Sequence, residues 1–431
     1  MHRAHKVALD VNNVQSTYLA KACGTARFAY NWALATWKEQ YQACLADPGA
    51  PKPSEGSLRR LLNSTKREQF PWMTEVTKCA PQEAIIDLGK AFANFFAGRA
   101  RFPVFKRKGV NDSFRVSTGQ FQVDGDRIRL PRIGWVRMRE RLRWPDARLE
   151  SVTVSRHGDR WMVAIACEVP DAPPRADLAG TIGIDVGTSE YWTSEDEEPI
   201  MVPRAYRNAE GRLRRAQQKL SRTQKGSKNR AKAKARVARV HRQIADVRSD
   251  WLHKVTCRIA NTYAMVVIED LNVTGMTARA KPIPDPTRPG HFLPNNRKAQ
   301  SGRAKSVLDA GFGEFRRQLE YKTQASRSRL IVADRWFPST KLCSECGAKA
   351  KQPLPLTTRR WQCENCGIWH HRDKNAATNL RKYATNLNEN AVSSTVSACG
   401  EFSPLASSLA LPTAKPLEES GTEHQTGHDP V

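Results

Sequence analysis

The chain has 431 residues, with 70 lysines and arginines against 43 aspartates and glutamates, for a formal net charge of +27 at pH 7. At 39% hydrophobic and 26% charged residues it has material for about three packed domains, and no apolar run approaches the ~18 residues of a membrane helix. A positive surplus this large calls for a polyanion, and nucleic acid fits better than a membrane surface, because neither terminus carries an amphipathic anchor or lipidation signal.

Residues 1 to about 15 read as a strand through alternating Val7, Leu9 and Val11. This opening lacks the apolar core of a secretory signal, so a reducing cytoplasmic setting is expected, and the ten cysteines are not read as a disulfide framework. Leu19, Ala22, Ala26, Tyr30, Ala33 and Trp37 then recur at helical spacing over Thr17 to Leu45, and shorter helices are predicted near Leu58 to Phe70 and Pro81 to Phe96. In RARFPVFKRKG, residues 99 to 109, basic side chains alternate with Phe102 and Phe105, which suits either a single-stranded nucleic acid contact or a solvated loop with two core phenylalanines. Ser113 to Val169 is strand-rich, with DG and HGD turns, and reads as a small antiparallel barrel; Asp171 to Asp177 reads as a linker.

An apolar strand, TIGIDVGT, carries Asp185, and a second, AMVVIED, ends on Glu269. Between them, residues 204 to 248 hold sixteen lysines or arginines and only Glu210 and Asp246 as acids. Val237, Val240, Ile244, Val247, Trp251, Val255 and Ile259 advance by threes and fours, so this segment is expected to be a helical pair with a buried stripe and a basic outer face suited to a phosphate ladder. A helix from Val307 to Tyr321 and a strand from Leu330 to Asp334 follow.

Cys343, Cys346, Cys363 and Cys366 form C-x2-C-x16-C-x2-C, with Gly347 and Gly367 closing the two turns, the spacing of a four-thiolate structural Zn2+ site with no position left for water. Cys23, Cys44, Cys79, Cys167, Cys257 and Cys399 lack such partners. Asp373 opens the short helix expected from Asn375 to Ala384, whose Ala376 and Ala377 permit close approach to a sheet. If the strands of Asp185 and Glu269 are neighbours and this helix crosses them, three carboxylates converge, and like charges stay ionised together only around cations. Two Mg2+ ions ~4 Å apart would then serve phosphodiester hydrolysis. Asp270 alternates to the opposite face and is expected to be structural. From about Leu387 the chain is rich in Ser, Pro, Thr and Glu and is expected to be disordered.

Taken together, GTARFAYNWAL, AFANFFAGRARFPVFKRKG, the SRTQKGSKNRAKAKARVARVHRQIADVR segment, VVIEDLNV, FPSTKLC, the paired cysteines and RDKNAATNL resemble TnpB, the RNA-guided DNA endonucleases of bacterial insertion sequences related to type V CRISPR effectors. The resemblance spans roughly residues 5 to 382 and implies a multidomain α+β protein. Its parts would be a wedge-type β-barrel (1–15 and 103–175), a helical recognition block (16–102), an RNase H-like RuvC nuclease domain (178–342 and 367–385), a zinc ribbon that binds target nucleic acid (343–366) and a disordered tail (386–431). It also implies catalytic, Mg-binding roles for Asp185, Glu269 and Asp373, a guide RNA from the transposon end, and double-stranded target DNA recognised beside a short adjacent motif. Action at the prokaryotic nucleoid follows from the same resemblance. All three acids are present, which argues against relatives that act as guided repressors without cleavage; a transposase acting directly on DNA is the other rival. Two departures stand out: His371 occupies a position where the family commonly has another Asp, and SEYWTSEDEEPIMV is acidic and lacks the usual glycine turn, so a modified hairpin is expected there.

Overall fold

The computed structural model describes residues 1–396, apart from positions 48, 171–177, 196, 197, 353 and 356, with backbone only for 387–396. The expected linker at 171–177, Cys399 and the part of the expected tail beyond 396 lie outside the described residues. Residues Met1–Ala384 form one compact unit.

The N-terminal part opens with β1 (His2–Asp10), followed by α1 (Asn13–Ala46), α2 (Glu55–Gln69) and α3 (Cys79–Phe96). Asn12 starts α1 with a capping box: its side chain accepts the Gln15 amide while the Gln15 side chain accepts the Asn12 amide, so the strand ends and the helix begins earlier than the periodicity alone predicts. Strands β2 (Ser113–Ser117), β3 (Gln122–Asp124), β4 (Arg127–Leu130), β5 (Gly134–Met138), β6 (Arg148–His157) and β7 (Arg160–Glu168) join β1 in an antiparallel sheet of order β2-β6-β7-β1-β5-β4-β3. Among the described residues no pairing joins the two edges, β2 and β3. Val7 and Leu9 face Val163 and Trp161 across the β1–β7 register and share one hydrophobic core with Leu19, Ala26, Ala33, Leu58 and Leu88, so sheet and helices are packed as one body. Small residues on α1 bring α3 close enough for Trp37 to stack on Phe92 with ring centroids 4.2 Å apart.

The second part holds β8 (Ala179–Val186), β9 (Glu190–Thr193), β10 (Ile200–Met201), α4 (Ala205–Ser221), α5 (Lys228–Thr262), β11 (Tyr263–Glu269), α6 (Val273–Thr277), the short hairpin β12 (Ile283–Pro284) and β13 (Phe292–Leu293), α7 (Arg297–Ala310), α8 (Phe312–Ser326) and β14 (Arg329–Ala333). Its sheet runs β10-β9-β8-β11-β14, with β8, β11 and β14 parallel and β9 antiparallel to both of its neighbours, β8 and β10. Ile182, Ile184, Val266 and Ile268 meet Leu252, Val255, Ile259, Phe315 and Leu319 of α5 and α8 on one face, while Val267 and Ile331 meet Leu380 and Ala384 of α9 (Arg372–Val396) on the other. Parallel strands covered on both faces read as continuous apolar runs, which is why TIGI and MVVI stand out in the sequence.

Three expectations change. The helix predicted over Val307 to Tyr321 is two helices, because Gly311 adopts φ +77° between them. The last helix begins at Arg372 and continues to Val396, through positions expected to belong to the tail. Within α5, Val247 is 51% exposed whereas Leu252 is fully buried, because α5 serves two cores: Val240 and Ile244 pack on α4, and Leu252, Val255 and Ile259 pack on the sheet side. No helix among the described residues is long and apolar enough to cross a membrane.

Candidate functional site

Asp185 and Glu269 lie one step beyond the paired Ile184 and Ile268 at the carboxyl ends of two neighbouring parallel strands. Period-two alternation turns both away from the Ile184/Ile268 face, toward the side covered by α9. That helix touches β8 backbone to backbone: a Cβ built on Gly183 would sit 2.0 Å from the Ala377 carbonyl oxygen and 2.5 Å from the Arg381 nitrogen. Ala376 and Ala377 are fully buried in this contact, and it brings Asp373, in the first turn of α9, to the same side as the two strand acids.

Asp185 feels both of the other carboxylates. Burial pushes Asp185 well above the usual carboxylate range, and Glu269 and Asp373 push it the same way against Arg372 and Arg359. Burial also raises Glu269, opposed by a hydrogen bond from the Ser339 hydroxyl and by Arg372. Asp373 is paired with Arg359, which reaches it from the segment between the cysteine pairs. The three acids offer hard oxygen donors of the kind Mg2+ takes, although among the described residues their oxygens do not close into a single metal-ligating group as the cysteine sulfurs do. Asp270 points the other way, as expected, and takes Arg316 at 2.6 Å and Arg335 at 2.6 Å, first Arg316 and then Arg335 holding its carboxyl below the ordinary range.

The segment between β14 and α9 carries β15 (Arg360–Gln362), β16 (Trp369–His371) and the cysteines. The four sulfurs lie within 4.8 Å of one another, the one such group of metal-ligating side chains among the described residues. Each knuckle repeats one hydrogen-bond pattern: Cys343 N to Ala348 O and Gly347 N to Cys343 O in the first, Cys363 N to Ile368 O and Gly367 N to Cys363 O in the second. Gly347 and Gly367, at φ +72° and +73°, permit those turns. The thiols share their protons unevenly: the Ala348 amide leads the interactions that pull Cys346 down to about 6, while burial raises Cys343 and, against the Ile368 amide, the neighbouring sulfurs push Cys366 up to about 12. This donor set fits one tetrahedral zinc.

The ribbon is sewn to α9. Asn375 donates to Leu342 O and accepts from the Ser344 amide, and Asn379 donates to both Ser339 O and Leu342 O, all at 2.7–2.8 Å. The asparagines of RDKNAATNL therefore tie the first knuckle and the Ser339 loop to the helix that carries Asp373. Ser339, Arg359, Arg372, Asn375 and Asn379 were not singled out by sequence reasoning, because their partners lie far along the chain; only the small, polar character of one helix face hinted at the asparagines. His371 packs at a tilt against Trp192, the register partner of Asp185, with ring centroids 4.2 Å apart and planes at 30°. Within the acidic stretch β9 and β10 pair antiparallel, and Glu195 is bound to Arg381 at 2.6 Å, while positions 196 and 197 lie outside the described residues.

Phe102 and Phe105 are 43% and 49% exposed, so neither is a core residue. The Lys38 ammonium lies 5.4 Å and 5.0 Å from their ring centroids, and Lys106 lies 4.0 Å from that of Tyr30, which makes a basic, aromatic surface at the edge of the helical layer. On α4 and α5 many basic side chains are exposed, whereas Arg207 bonds Gly302 O at 2.7 Å, Arg230 bonds Thr223 O at 2.9 Å, Arg248 bonds Leu308 O at 3.0 Å, and Asp159 of the β6–β7 turn takes Arg239 at 3.1 Å and Arg242 at 2.7 Å.

Among known proteins, the family described as "Probable transposase" matches residues 164–280, "Cas12f1-like, TNB domain" matches 312–380, and "Helix-turn-helix domain" matches 1–44. In this chain residues 1–44 form β1 and the greater part of the single helix α1. A Streptomyces pristinaespiralis protein named "Putative RNA-guided DNA endonuclease" is 35% identical, with 88% of each chain covered. An Escherichia coli K12 protein, "Putative RNA-guided DNA endonuclease InsQ", is 32% identical over 98% of each chain. A solved structure described as "Cryo-EM structure of the Cas12f1-sgRNA-target DNA complex" is 14% identical with a TM-score of 0.46, covering 85% of this chain and 83% of that one.

Proposed function

Because the chain belongs to the TnpB (IS605 OrfB) family, we propose that it is an RNA-guided DNA endonuclease of a transposable element, whose guide RNA pairs with one strand of double-stranded target DNA beside a short adjacent motif. The observation that carries the nuclease part is the placement of Asp185 and Glu269 on adjacent parallel strands with α9 bringing Asp373 across them. The sheet order β10-β9-β8-β11-β14 supports an RNase H-like RuvC domain interrupted by a zinc ribbon, and we assign the antiparallel seven-stranded sheet, unpaired between β2 and β3, to the wedge-type barrel and α1–α3 packed on it to the recognition block.

Asp185, Glu269 and Asp373 would hold two Mg2+ ions, which supply Lewis-acid activation of water and stabilisation of the leaving oxygen. Around them, Ser339 orients the Glu269 carboxylate and Arg359 restrains Asp373. Arg372, which already opposes the raised pKa of both strand acids, adds positive charge where a phosphate would arrive. Cys343, Cys346, Cys363 and Cys366 would hold one structural Zn2+, and through Asn375 and Asn379 the ribbon fixes the start of α9. The outward lysines and arginines of α4 and α5 would follow nucleic acid phosphates, with sequence read by base pairing to the guide. A soluble setting at the bacterial nucleoid suits these partners.

The test is to purify the chain with its RNA, sequence that RNA, and incubate the complex with a matching duplex and Mg2+. Cutting that Asp185→Ala abolishes while duplex binding persists is the expected result. Tight guided binding with no cutting would instead identify a repressor, and RNA-independent strand transfer would identify a transposase.

A further inference from the structure

The loop from Asp334 to Ser339 leaves β14 at the same end of the sheet as Glu269 and leads into the first cysteine knuckle. It is a rigid loop. Asp334 accepts the Trp336 amide on its side chain at 2.8 Å and the Phe337 amide on its carbonyl at 3.0 Å, Phe337 packs against Tyr383 of α9 at 4.8 Å between ring centroids, Arg335 is paired with Asp270 at 2.6 Å, and Ser339 bonds Glu269. The residues on either side of Trp336 are thus anchored, yet its indole is 84% exposed, more than any other large apolar side chain among the described residues. An indole left in water on a fixed backbone forgoes the burial it would gain in a core. Its place is also constrained: three residues span at most ~11 Å, so Trp336 lies within that distance of the serine that touches Glu269. Its chain neighbour Arg335 is held by Asp270 and Arg359 by Asp373, so the ring itself is the feature this loop leaves open.

We infer that Trp336 is a stacking platform for an unpaired base of the DNA strand that enters the carboxylate site. A flat, exposed π-face on the loop that carries Ser339 to Glu269 matches a nucleotide whose base is free to stack. Bases inside a duplex have both faces occupied, so the ring selects a strand already separated from its complement. The phosphate next to the stacked base is then held near Asp185 and Glu269. This inference rests on the nuclease reading above and adds to it the residue that holds the strand.

The test uses the complete protein–RNA complex and single-stranded targets with one abasic nucleotide stepped past the cut position. In the wild type one position should lower kcat/KM by about 5- to 150-fold, the factor that ~1–3 kcal/mol of base stacking amounts to. In Trp336→Ala the intact target should already show that loss and the abasic nucleotide should add none, whereas Trp336→Phe should keep most of the wild-type pattern and Trp336→Leu should not. An abasic profile identical in wild type and Trp336→Ala, or undiminished cutting by that variant, would overturn the inference. So would a loss of guide RNA from Trp336→Ala, since the ring would then serve the RNA. Should the wild type cut nothing, the nuclease reading fails and stacking is read without it: 2-aminopurine at the same positions of a bound oligonucleotide should be quenched by the wild type and not by Trp336→Ala, and equal quenching would refute the platform.

Discussion

Gly183→Ala tests the close approach of α9 to β8 on which the proposed carboxylate site depends. The added Cβ would lie 2.0 Å from the Ala377 carbonyl oxygen and 2.5 Å from the Arg381 nitrogen, both backbone atoms of α9 that no rotamer change can move. Ordinary contact begins near 3.4 Å, so helix and strand must separate by roughly 1.4 Å. Overpacking of this kind costs about 1–3 kcal/mol. The larger effect is on geometry, because Asp373 rides on α9 and Asp185 sits two residues from Gly183; a misplacement of ~1 Å at reacting groups costs on the order of 100-fold in rate. Single-turnover cleavage by Gly183→Ala should therefore fall about 100-fold, with a drop of a few degrees in Tm and unchanged guide RNA content. Gly180→Ala on the same strand, where nothing lies within 4 Å of the new Cβ, is the control and should cut like the wild type. Wild-type cutting and Tm in Gly183→Ala would refute the close approach of α9 to β8.

Chelation should release about one zinc per chain, and because Asn375 and Asn379 link the ribbon to α9, cutting should fall with the metal; zinc loss without loss of cutting would separate the two sites. Reversing Arg214, Arg215, Lys232 and Arg236, all exposed, to Glu should flatten the salt dependence of binding by ~0.9 in log–log slope for each duplex phosphate no longer neutralised, and an unchanged slope would leave this face merely solvated. Arg242 leads the interactions that hold Asp159 down to about 2, so the clasp between the β6–β7 turn and α5 stabilises the fold fully above the ordinary carboxylate pKa and loses that contribution as pH falls from about 4 toward 2. Asp159→Asn should cost ~1 kcal/mol at neutral pH after allowance for solvent screening, and its deficit relative to wild type should shrink over that acid range; a deficit independent of pH would assign it to packing instead.

The strands of Asp185 and Glu269 were legible because parallel strands covered on both faces leave uninterrupted apolar runs in which an acid is conspicuous. The cysteine quartet was legible because spacing and the two glycines encode its turns locally. Asp270 could be set apart from Glu269 by alternation alone, and it does face α8. What escaped the sequence was tertiary. Ser339 meets Glu269 from seventy positions away, and Arg359 meets Asp373 across the ribbon, so neither has a local signature. The exposure of Val247 reflects one helix turning between two cores, which a single apolar stripe cannot describe. Gly311 was a readable stop, but the apolar positions on both sides of it continue at helical spacing and masked it.

The most direct measurement is retargeting. The complex is assembled on a guide whose pairing segment has been rewritten, and duplexes matching the old and new sequences, each beside the adjacent motif, are offered with Mg2+ and resolved on a denaturing gel. The expected result is a cut that moves to the new duplex and disappears in Asp185→Ala. A cut that stays on the old duplex, or that survives in Asp185→Ala, would contradict guided cleavage at this carboxylate site.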